Sequence, residues 1–225
     1  MRPNDYSKLA TIVIGVVFAG CASFEPGLRF QNLQGPRQPT AKAVQEGLEV
    51  SVEEFITRDK SKMAFDSDLS SNGVGAILVR VDNGGAERYA LRRDNIKAFL
   101  NGQPLNALTP REAADQAATS EYVGKALGWT LAAGPFAILL WPVTIGASAV
   151  HTNSVNKRIE QYFEGVGFQD ALVGPKQTAL GFVFFKLPDR DKRLENFVVE
   201  AEASGDPSGK KLSYKYSLPS IQMSQ

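Results

Sequence analysis

The chain has little of what metal and catalytic sites need, with one cysteine and one histidine among 225 residues. A disulfide framework needs paired cysteines, and a zinc site needs three or four cysteine or histidine ligands. A catalytic histidine would have to be His151, which has no obvious carboxylate partner. Lysine and arginine are scattered without a basic stripe, so no nucleic-acid partner is expected. These absences favour a protein that is not an enzyme and that needs no metal or cofactor.

Short motifs that resemble binding loops are incomplete. Asp66-Ser67-Asp68 begins like a calcium loop, but Ser71 stands where glycine is needed and Ile77 where an acid is needed. The segment 205–211 is one residue short of a phosphate loop, and strands rather than a helix flank it. The acidic pair in 189–191 lies between a proline and two basic residues. We interpret all three segments as turns.

The N-terminus has the layout of an export signal. Arg2 and Lys8 precede an apolar run over 9–20, which is uncharged and too short to span a bilayer comfortably. The run ends in Phe18-Ala19-Gly20-Cys21. This segment resembles the lipobox of bacterial lipoproteins, in which small residues precede an obligatory cysteine, although Phe18 stands where leucine is commonest.

The resemblance implies a covalent lipid and a location. After removal of residues 1–20, Cys21 would carry a diacylglycerol on its sulfur and an acyl chain on its new amine. Two or more chains together make a stable anchor. Ala22 is not the aspartate that holds many lipoproteins in the inner membrane. We therefore expect a lipid anchor in the outer membrane of a Gram-negative cell, with the protein facing the periplasm.

The mature chain is predicted to be mainly β. Residues 21–45 contain several prolines and glycines and are predicted to form an acylated, flexible tether. From residue 46 apolar residues alternate with polar ones, as in a strand with one buried face. Such runs, separated by turn residues, occupy 46–108 and 173–220. They predict an immunoglobulin-like antiparallel β-sandwich in two parts, similar in style to accessory domains of envelope proteins.

An α-helical insertion is predicted between the two parts, over 109–172. Thr109 can cap a helix and Pro110 suits its first position. Residues 126–150 carry no charge, are rich in alanine and glycine, and predict an apolar helical hairpin bent at Gly134-Pro135. Its large apolar side chains are candidates for contact with a membrane or a partner: Trp129, Phe136, Leu139, Leu140 and Trp141.

Three roles are open for the apolar hairpin 126–150. It could contact lipid or a partner protein, or it could pack against the sandwich and itself. It is also long enough to span a bilayer, although a spanning helix would oppose sorting to the outer membrane.

Three classes of function follow from the sequence, and the third is a hydrolase that uses a dispersed set of serine or aspartate side chains. In the first, the protein is a non-enzymatic structural or assembly adaptor that contacts another envelope protein through the 111–165 insertion. In the alternative, the sandwich and the apolar helices enclose a lipid or another hydrophobic ligand, and the protein is a carrier.

Overall fold

A computed structural model describes residues 38–117, 157–188 and 193–222 of the chain. These ranges contain strands, one complete short α-helix, a 3₁₀ turn at Ser70–Asn72 and the described parts of two more α-helices. In chain order the elements are β1 (Ala41–Gln45), β2 (Leu48–Glu54), α1 (Arg58–Phe65), β3 (Val74–Asn83), β4 (Arg88–Leu100), β5 (Gln103–Pro104), β6 (Ala107–Leu108), α2 (110–117), α3 (157–166), β7 (Ala171–Val173), β8 (Thr178–Lys186), β9 (Arg193–Leu194), β10 (Phe197–Asp206), β11 (Lys211–Ser217) and β12 (Ile221–Gln222).

Two antiparallel sheets face each other. The first has the strand order β1-β2-β3-β8-β6, and the second has the order β11-β10-β4-β5 with β7 also paired to β4. A separate pair joins β9 to β12. The predicted β-sandwich with a helical insertion is confirmed.

The strand order departs from that of an immunoglobulin domain. In immunoglobulin domains the third strand joins the sheet opposite the second strand. Here β1, β2 and β3 are consecutive neighbours in one sheet, and the chain first crosses to the other sheet at β4. The likeness to immunoglobulin domains is therefore one of architecture and not of connectivity.

The space between the sheets is filled by the alternating apolar residues that the sequence pattern indicates. Leu48, Val50 and Val52 of β2 are fully buried. They belong to one core cluster with inward-facing residues of both sheets: Ile77, Val79, Val81, Val183, Phe185, Leu91, Ile96, Ala98, Val199, Ala201, Ala203, Leu212, Tyr214 and Tyr216. Burial of this apolar surface is the main force that holds the two sheets together.

The strands β3 and β8 are buried on both faces. Their other face carries Leu78, Phe182 and Phe184, which belong to a second core under α1, α2 and α3. A strand covered on both sides has a continuous apolar run instead of an alternating pattern. This explains the sequences of β3 and β8, and gives the domain three layers: sheet, sheet and helices.

Two tyrosines of β11 hold the β1–β2 hairpin onto the second sheet. The hydroxyl of Tyr214 donates to the carbonyl oxygen of Leu48 at 2.8 Å, and that of Tyr216 donates to the carbonyl oxygen of Val50 at 2.7 Å. Burial raises the pKa of Tyr214 to about 12 and raises that of Tyr216 as well. Both hydroxyls therefore remain protonated donors at neutral pH.

The structure corrects the boundary of the tether. The sequence predicts that the tether extends to residue 45, but Ala41–Gln45 form β1, so the prediction is wrong for these five residues. Ala41 and Ala43 pack against the core, and the turn at Glu46-Gly47, with positive φ at both residues, folds β1 back onto β2. Because Ala41 and Ala43 are small, the alternation of apolar and polar residues over 41–45 is too weak to predict a strand.

Residues Arg88–Leu100 form one long strand, β4, which contains a bulge. Its register against β10 shifts between the pairs Leu91–Ala203 and Ile96–Ala201, so residues 92–95 lie opposite a single residue, Glu202. Before the bulge the odd-numbered residues of β4, such as Leu91, face the core, and after it the even-numbered residues, such as Ile96, do so. It allows the charged residues 92–94 to stay out of the core while both ends of β4 remain paired.

Replacing Tyr216 by phenylalanine tests the contact between β11 and the β1–β2 hairpin. We expect Tyr216→Phe to lower the free energy of unfolding by about 1 kcal/mol, because a buried hydrogen bond is lost. Urea unfolding measures this change. Tyr89→Phe is the matched control, since this ring is also buried but its hydroxyl has no hydrogen-bond partner among the described residues. Equal effects of the two substitutions would contradict this role for the hydroxyl.

Candidate functional site at the base of the helical insertion

The described ends of the insertion, α2 and α3, lie against the outer face of the first sheet. We call residues 109–117 and 157–168 the insertion base. From α2, three alanines enter the second core, and from α3, Ile159, Phe163 and Val166 do so. The alanines, being small, let the backbone of α2 approach the sheet closely. Both ends of the segment 118–156 are thus attached to buried elements of the domain.

The start of α2 is fixed by a capping box. The hydroxyl of Thr109 accepts from the N–H of Glu112 at 3.2 Å, and the Glu112 carboxylate accepts from the N–H of Thr109 at 2.7 Å. This reciprocal pattern satisfies amide donors that a helix leaves free at its N-terminus. The hydrogen bonds from Thr109 hold the pKa of Glu112 below its usual value. The helix start predicted at Thr109-Pro110 is confirmed.

The two ends of the insertion base contact each other. A side chain at Gly167 would place its Cβ 2.7 Å from Cγ of Pro110, so only glycine fits there without displacement. The next residue, Phe168, donates its N–H to the carbonyl oxygen of Phe182 in β8 at 2.8 Å. Arg111 and Glu160 form an exposed ion pair between α2 and α3, with 3.0 Å between Nε and Oε1. The two parts of the insertion base therefore contact each other, and Phe168 also bonds the base to the first sheet.

An aromatic cluster fills the space under the helices. The Phe65 ring of α1 lies at its centre, with centroids 5.1 Å from Phe163, 4.8 Å from Phe182 and 5.8 Å from Phe184. The Phe55 ring makes an edge contact with Phe182 at 5.2 Å. Edge and offset arrangements at these distances are the favourable ones for aromatic rings. The cluster thus joins α1, α3 and β8 into one apolar unit.

Tyr162 connects α3 to the end of α1. Its hydroxyl donates to the carbonyl oxygen of Ala64 at 2.8 Å, and its ring packs 6.4 Å from that of Phe65. Burial raises the pKa of Tyr162 well above its usual value. At neutral pH the group is therefore a neutral donor, and its hydrogen bond joins α3 to the end of α1.

The side chains of the insertion base pack and hydrogen-bond within the domain. Its buried groups are apolar, and its capping hydrogen bonds are satisfied. Within residues 38–117, 157–188 and 193–222 no group of three or more histidine, cysteine, aspartate or glutamate side chains is arranged to hold a metal ion. What this arrangement can do is hold the two ends of residues 118–156 at fixed positions on the sheet.

The opposite end of the sandwich has an open surface depression at the turns. It is lined by Ala86, Glu87, Arg88, Pro175, Asp206, Pro207 and Ser208. The Arg88 guanidinium pairs with the Asp206 carboxylate at 2.7 Å, and Glu87 accepts the N–H of Ser208 at 3.2 Å. These charged groups already have partners within the chain, so the depression offers no obvious site for a charged ligand.

The contact residues predicted from the sequence lie outside the described residues. This holds for the lipidation site Cys21 and for His151. It also holds for the candidate membrane or partner contacts Trp129, Phe136, Leu139, Leu140 and Trp141. Their roles stay predictions, as do the three alternatives for 126–150.

The acidic segment 66–68 forms a turn, as interpreted. Asp66 ends α1 in the left-handed conformation. The Asp68 carboxylate accepts from the Ser70 hydroxyl at 2.8 Å and from the N–H of Ser71 at 3.3 Å. The segment 205–211 likewise joins β10 to β11, with a positive φ at Gly209. Residues 189–191 lie outside the described ranges.

Sequence reasoning missed α1 and, with it, the centre of the aromatic cluster. The eight residues of α1 have four charged side chains and three buried positions, Ser61, Ala64 and Phe65. The available signal was Thr57 before a run of helix-forming residues, with Asp59 in the first turn. So short a segment has no apolar stripe long enough to be read as a helix.

Comparison with known proteins gives no family for this chain. No family model matches it, and no curated protein matches it. A crystal structure of a "putative lipoprotein" from Bacillus subtilis subsp. subtilis str. 168 is similar, with a TM-score of 0.37 and 10% sequence identity over 78% of this chain. This chain spans 38% of the length of that protein. A likeness of this size carries no argument about fold or function.

Among the described residues, no helix is both long and apolar enough to cross a membrane.

Truncating Phe163 tests whether α3 belongs to the folded core. We expect Phe163→Ala to lower the free energy of unfolding by about 3–5 kcal/mol, because a fully buried ring leaves a cavity among three other aromatic side chains. Chemical denaturation measures the loss. Leu172→Ala, at a side chain that is 50% exposed, is the control and should change stability far less. A loss below about 1 kcal/mol for Phe163→Ala would mean that α3 does not contribute to the core.

The charge of Glu112 gives a pH test of the capping box. Because its pKa is lower in the folded state, its stabilisation is present above the usual carboxyl pKa and is lost as pH falls through the folded-state pKa. We expect Glu112→Gln to lower the urea midpoint at pH 7, and the gap from the parent protein to close as pH falls below about 4.5. Asp94→Asn, at an exposed acid in the β4 bulge, should show no such gap. A gap for Glu112→Gln that is constant with pH would contradict the assignment.

Proposed function

We propose that this protein is a cell-envelope lipoprotein with a structural or assembly role and no catalytic one. In this proposal, acyl chains on Cys21 hold it on the periplasm-facing side of the outer membrane. The sandwich serves as a rigid platform. Residues 118–156, which leave the platform between α2 and α3, contact another envelope protein.

The observation that carries this proposal is the buried insertion base. A segment that only connected the two groups of strands would not need a capping box, a contact between its two ends or an aromatic cluster beneath them. Here Thr109 and Glu112 fix where the segment leaves, Gly167 and Phe168 fix where it returns, and Phe163 is fully buried. In this proposal, fixed ends lower the entropy that the segment between them loses when it binds a partner.

The alternative, a carrier of a hydrophobic ligand, has less support. The described inter-sheet space is occupied by the protein's own side chains, most of them under 5% exposed. Native mass spectrometry of the purified protein tests this alternative. A co-purifying lipid that survives dilution would favour the carrier over the adaptor.

The lipid anchor is tested by substitution at the lipobox. We expect the parent chain to carry a diacylglycerol and an N-acyl chain on Cys21 by intact-mass measurement, and to fractionate with the outer membrane. Cys21→Ala should abolish the lipid and release the protein into the soluble fraction. Phe18→Leu, which restores the commonest lipobox residue, is the matched control and should be lipidated at least as completely. A Cys21→Ala protein that stays membrane-bound would contradict anchoring by lipid alone.

Partner contact is tested by photo-crosslinking in cells. A photoreactive amino acid in place of Trp129 or Trp141 should give a protein adduct of defined mass, and one in place of Lys97, on the outer face of the second sheet, should not. Binding of the Cys21→Ala protein to lipid vesicles would favour lipid contact over a protein partner. Adducts that are absent or equal at all three positions would contradict the adaptor role.

A further inference from the structure

The strand β1 forms an open edge of the first sheet. It pairs with β2 through the register Gln45–Leu48, Ala43–Val50 and Ala41–Val52, and the described part of the chain has no strand on its other side. The pair that flanks a two-residue turn is hydrogen-bonded, and bonded and non-bonded pairs then alternate along the hairpin. The N–H and C=O groups at 41, 43 and 45 therefore point to β2.

The intervening residues, Lys42 and Val44, point their backbone groups away from β2. No hydrogen bond from these groups to another described residue is present. Val44 also has an unusual side chain for an edge, since it is a large apolar residue that is 58% exposed. Lys42 lies beside it on the same face, with its Nζ 3.8 Å from Glu49 Oε1. An open edge of this kind is a template for another strand.

We propose that β1 pairs with β1 of a second copy of this chain, antiparallel and centred on Ala43. This register places Lys42 opposite Val44 of the second copy, and Val44 opposite its Lys42. At both positions the N–H and C=O groups have no partner among the described residues, so each pair can form the two hydrogen bonds of a bonded antiparallel pair. The two sheets then continue as one across the dimer.

The side chains fit this register because the strand is self-complementary about Ala43. The apolar stem of each Lys42 covers the exposed Val44 opposite, while the two ammonium groups lie diagonally and do not face each other. On the other face, the small side chains of the two Ala43 residues meet above the sandwich core. A shift of two residues in either direction would break these matches and leave fewer backbone groups paired.

The contact area makes this a weak association in solution. One five-residue strand buries far less than the roughly 1,200 Å² of a small stable interface. Confinement of the protein to a membrane would raise its effective concentration and favour the dimer. The increase in effective concentration rests on the proposed lipid anchor, but the pairing of the two β1 strands does not. The pairing is therefore tested first in a chain without the lipid.

The test is disulfide trapping at the centre of the proposed pair. In the full-length Cys21→Ala chain, Ala43→Cys supplies the only thiol. Residue 43 would face its own copy as a non-bonded antiparallel pair, where the Cα atoms are about 4.5 Å apart and a disulfide can form. We expect disulfide-linked dimer to form at least ten times faster than for Lys97→Cys in the same background. Each rate is divided by the rate of reaction with a small thiol reagent, to correct for accessibility.

Two further substitutions separate strand pairing from chance collision. Val44→Pro removes an outward N–H that the β1–β2 ladder does not use, so it should leave the monomer folded. Val44→Lys places two ammonium groups opposite each other at an exposed position. Each, added to Ala43→Cys, should reduce trapping to the rate of the Lys97→Cys control, with unchanged circular dichroism.

Trapping for Ala43→Cys that is no faster than for Lys97→Cys would overturn the proposed dimer. So would fast trapping that neither Val44 substitution slows. In native membranes the Ala43→Cys chain that retains Cys21 should be trapped faster still than the soluble form. If the soluble form is trapped but the membrane form shows no increase, the dimer stands and the proposed anchoring is in doubt.

Discussion

The pairing of β3 with β8 is the interaction on which the rest of the structure depends. Their register runs without interruption from Val74–Lys186 to Asp82–Thr178. One face of this pair contributes Ile77, Val79, Val183 and Phe185 to the inter-sheet core, and the other contributes Leu78, Phe182 and Phe184 to the core under the helices. Each fully buried side chain of this size contributes about 1.5–3 kcal/mol through the loss of apolar surface from water. Because the two strands share both cores, neither the second sheet nor the helical layer is an independent addition.

Because of this arrangement, the helical insertion is part of the folded domain. A helical segment between two groups of strands could be a peripheral loop, but here its ends complete the burial of the outer face of the first sheet. The capping box at Thr109, the contact of Gly167 with Pro110 and the hydrogen bond of Tyr162 to Ala64 fix those ends. The described ends of the insertion, 109–117 and 157–168, are thus held against the outer face of the first sheet.

The opposite edge of the first sheet has a different character. In the part of the chain that the structure describes, β1 has one neighbouring strand, small inward side chains and an exposed valine. Its hairpin is held from below by the hydroxyls of Tyr214 and Tyr216 and at its end by the amide of Gln45, which donates to the Ser213 carbonyl oxygen at 2.6 Å. The edge is therefore firmly held to the domain, while its outer backbone groups have no partner among the described residues. A fixed but open edge suits strand pairing with a second copy, and it directly follows the predicted tether.

The sequence by itself determined which faces of the strands are buried, where α2 begins and which turns join the strands. These features depend on residues close together in the chain, such as the alternation in β2, the Thr109–Glu112 spacing and the glycine at 102 with its positive φ. Only the tertiary structure decided that β3 pairs with β8, that the bulge at 92–95 resets β4, that 41–45 is a strand and that α1 covers the aromatic cluster. Most of these depend on partners far away in sequence: Phe65 packs on rings of residues 163, 182 and 184. The strand β1 pairs with the neighbouring β2 but also packs against the distant β11. Local patterns report which side chains avoid water, but not which distant surface covers them.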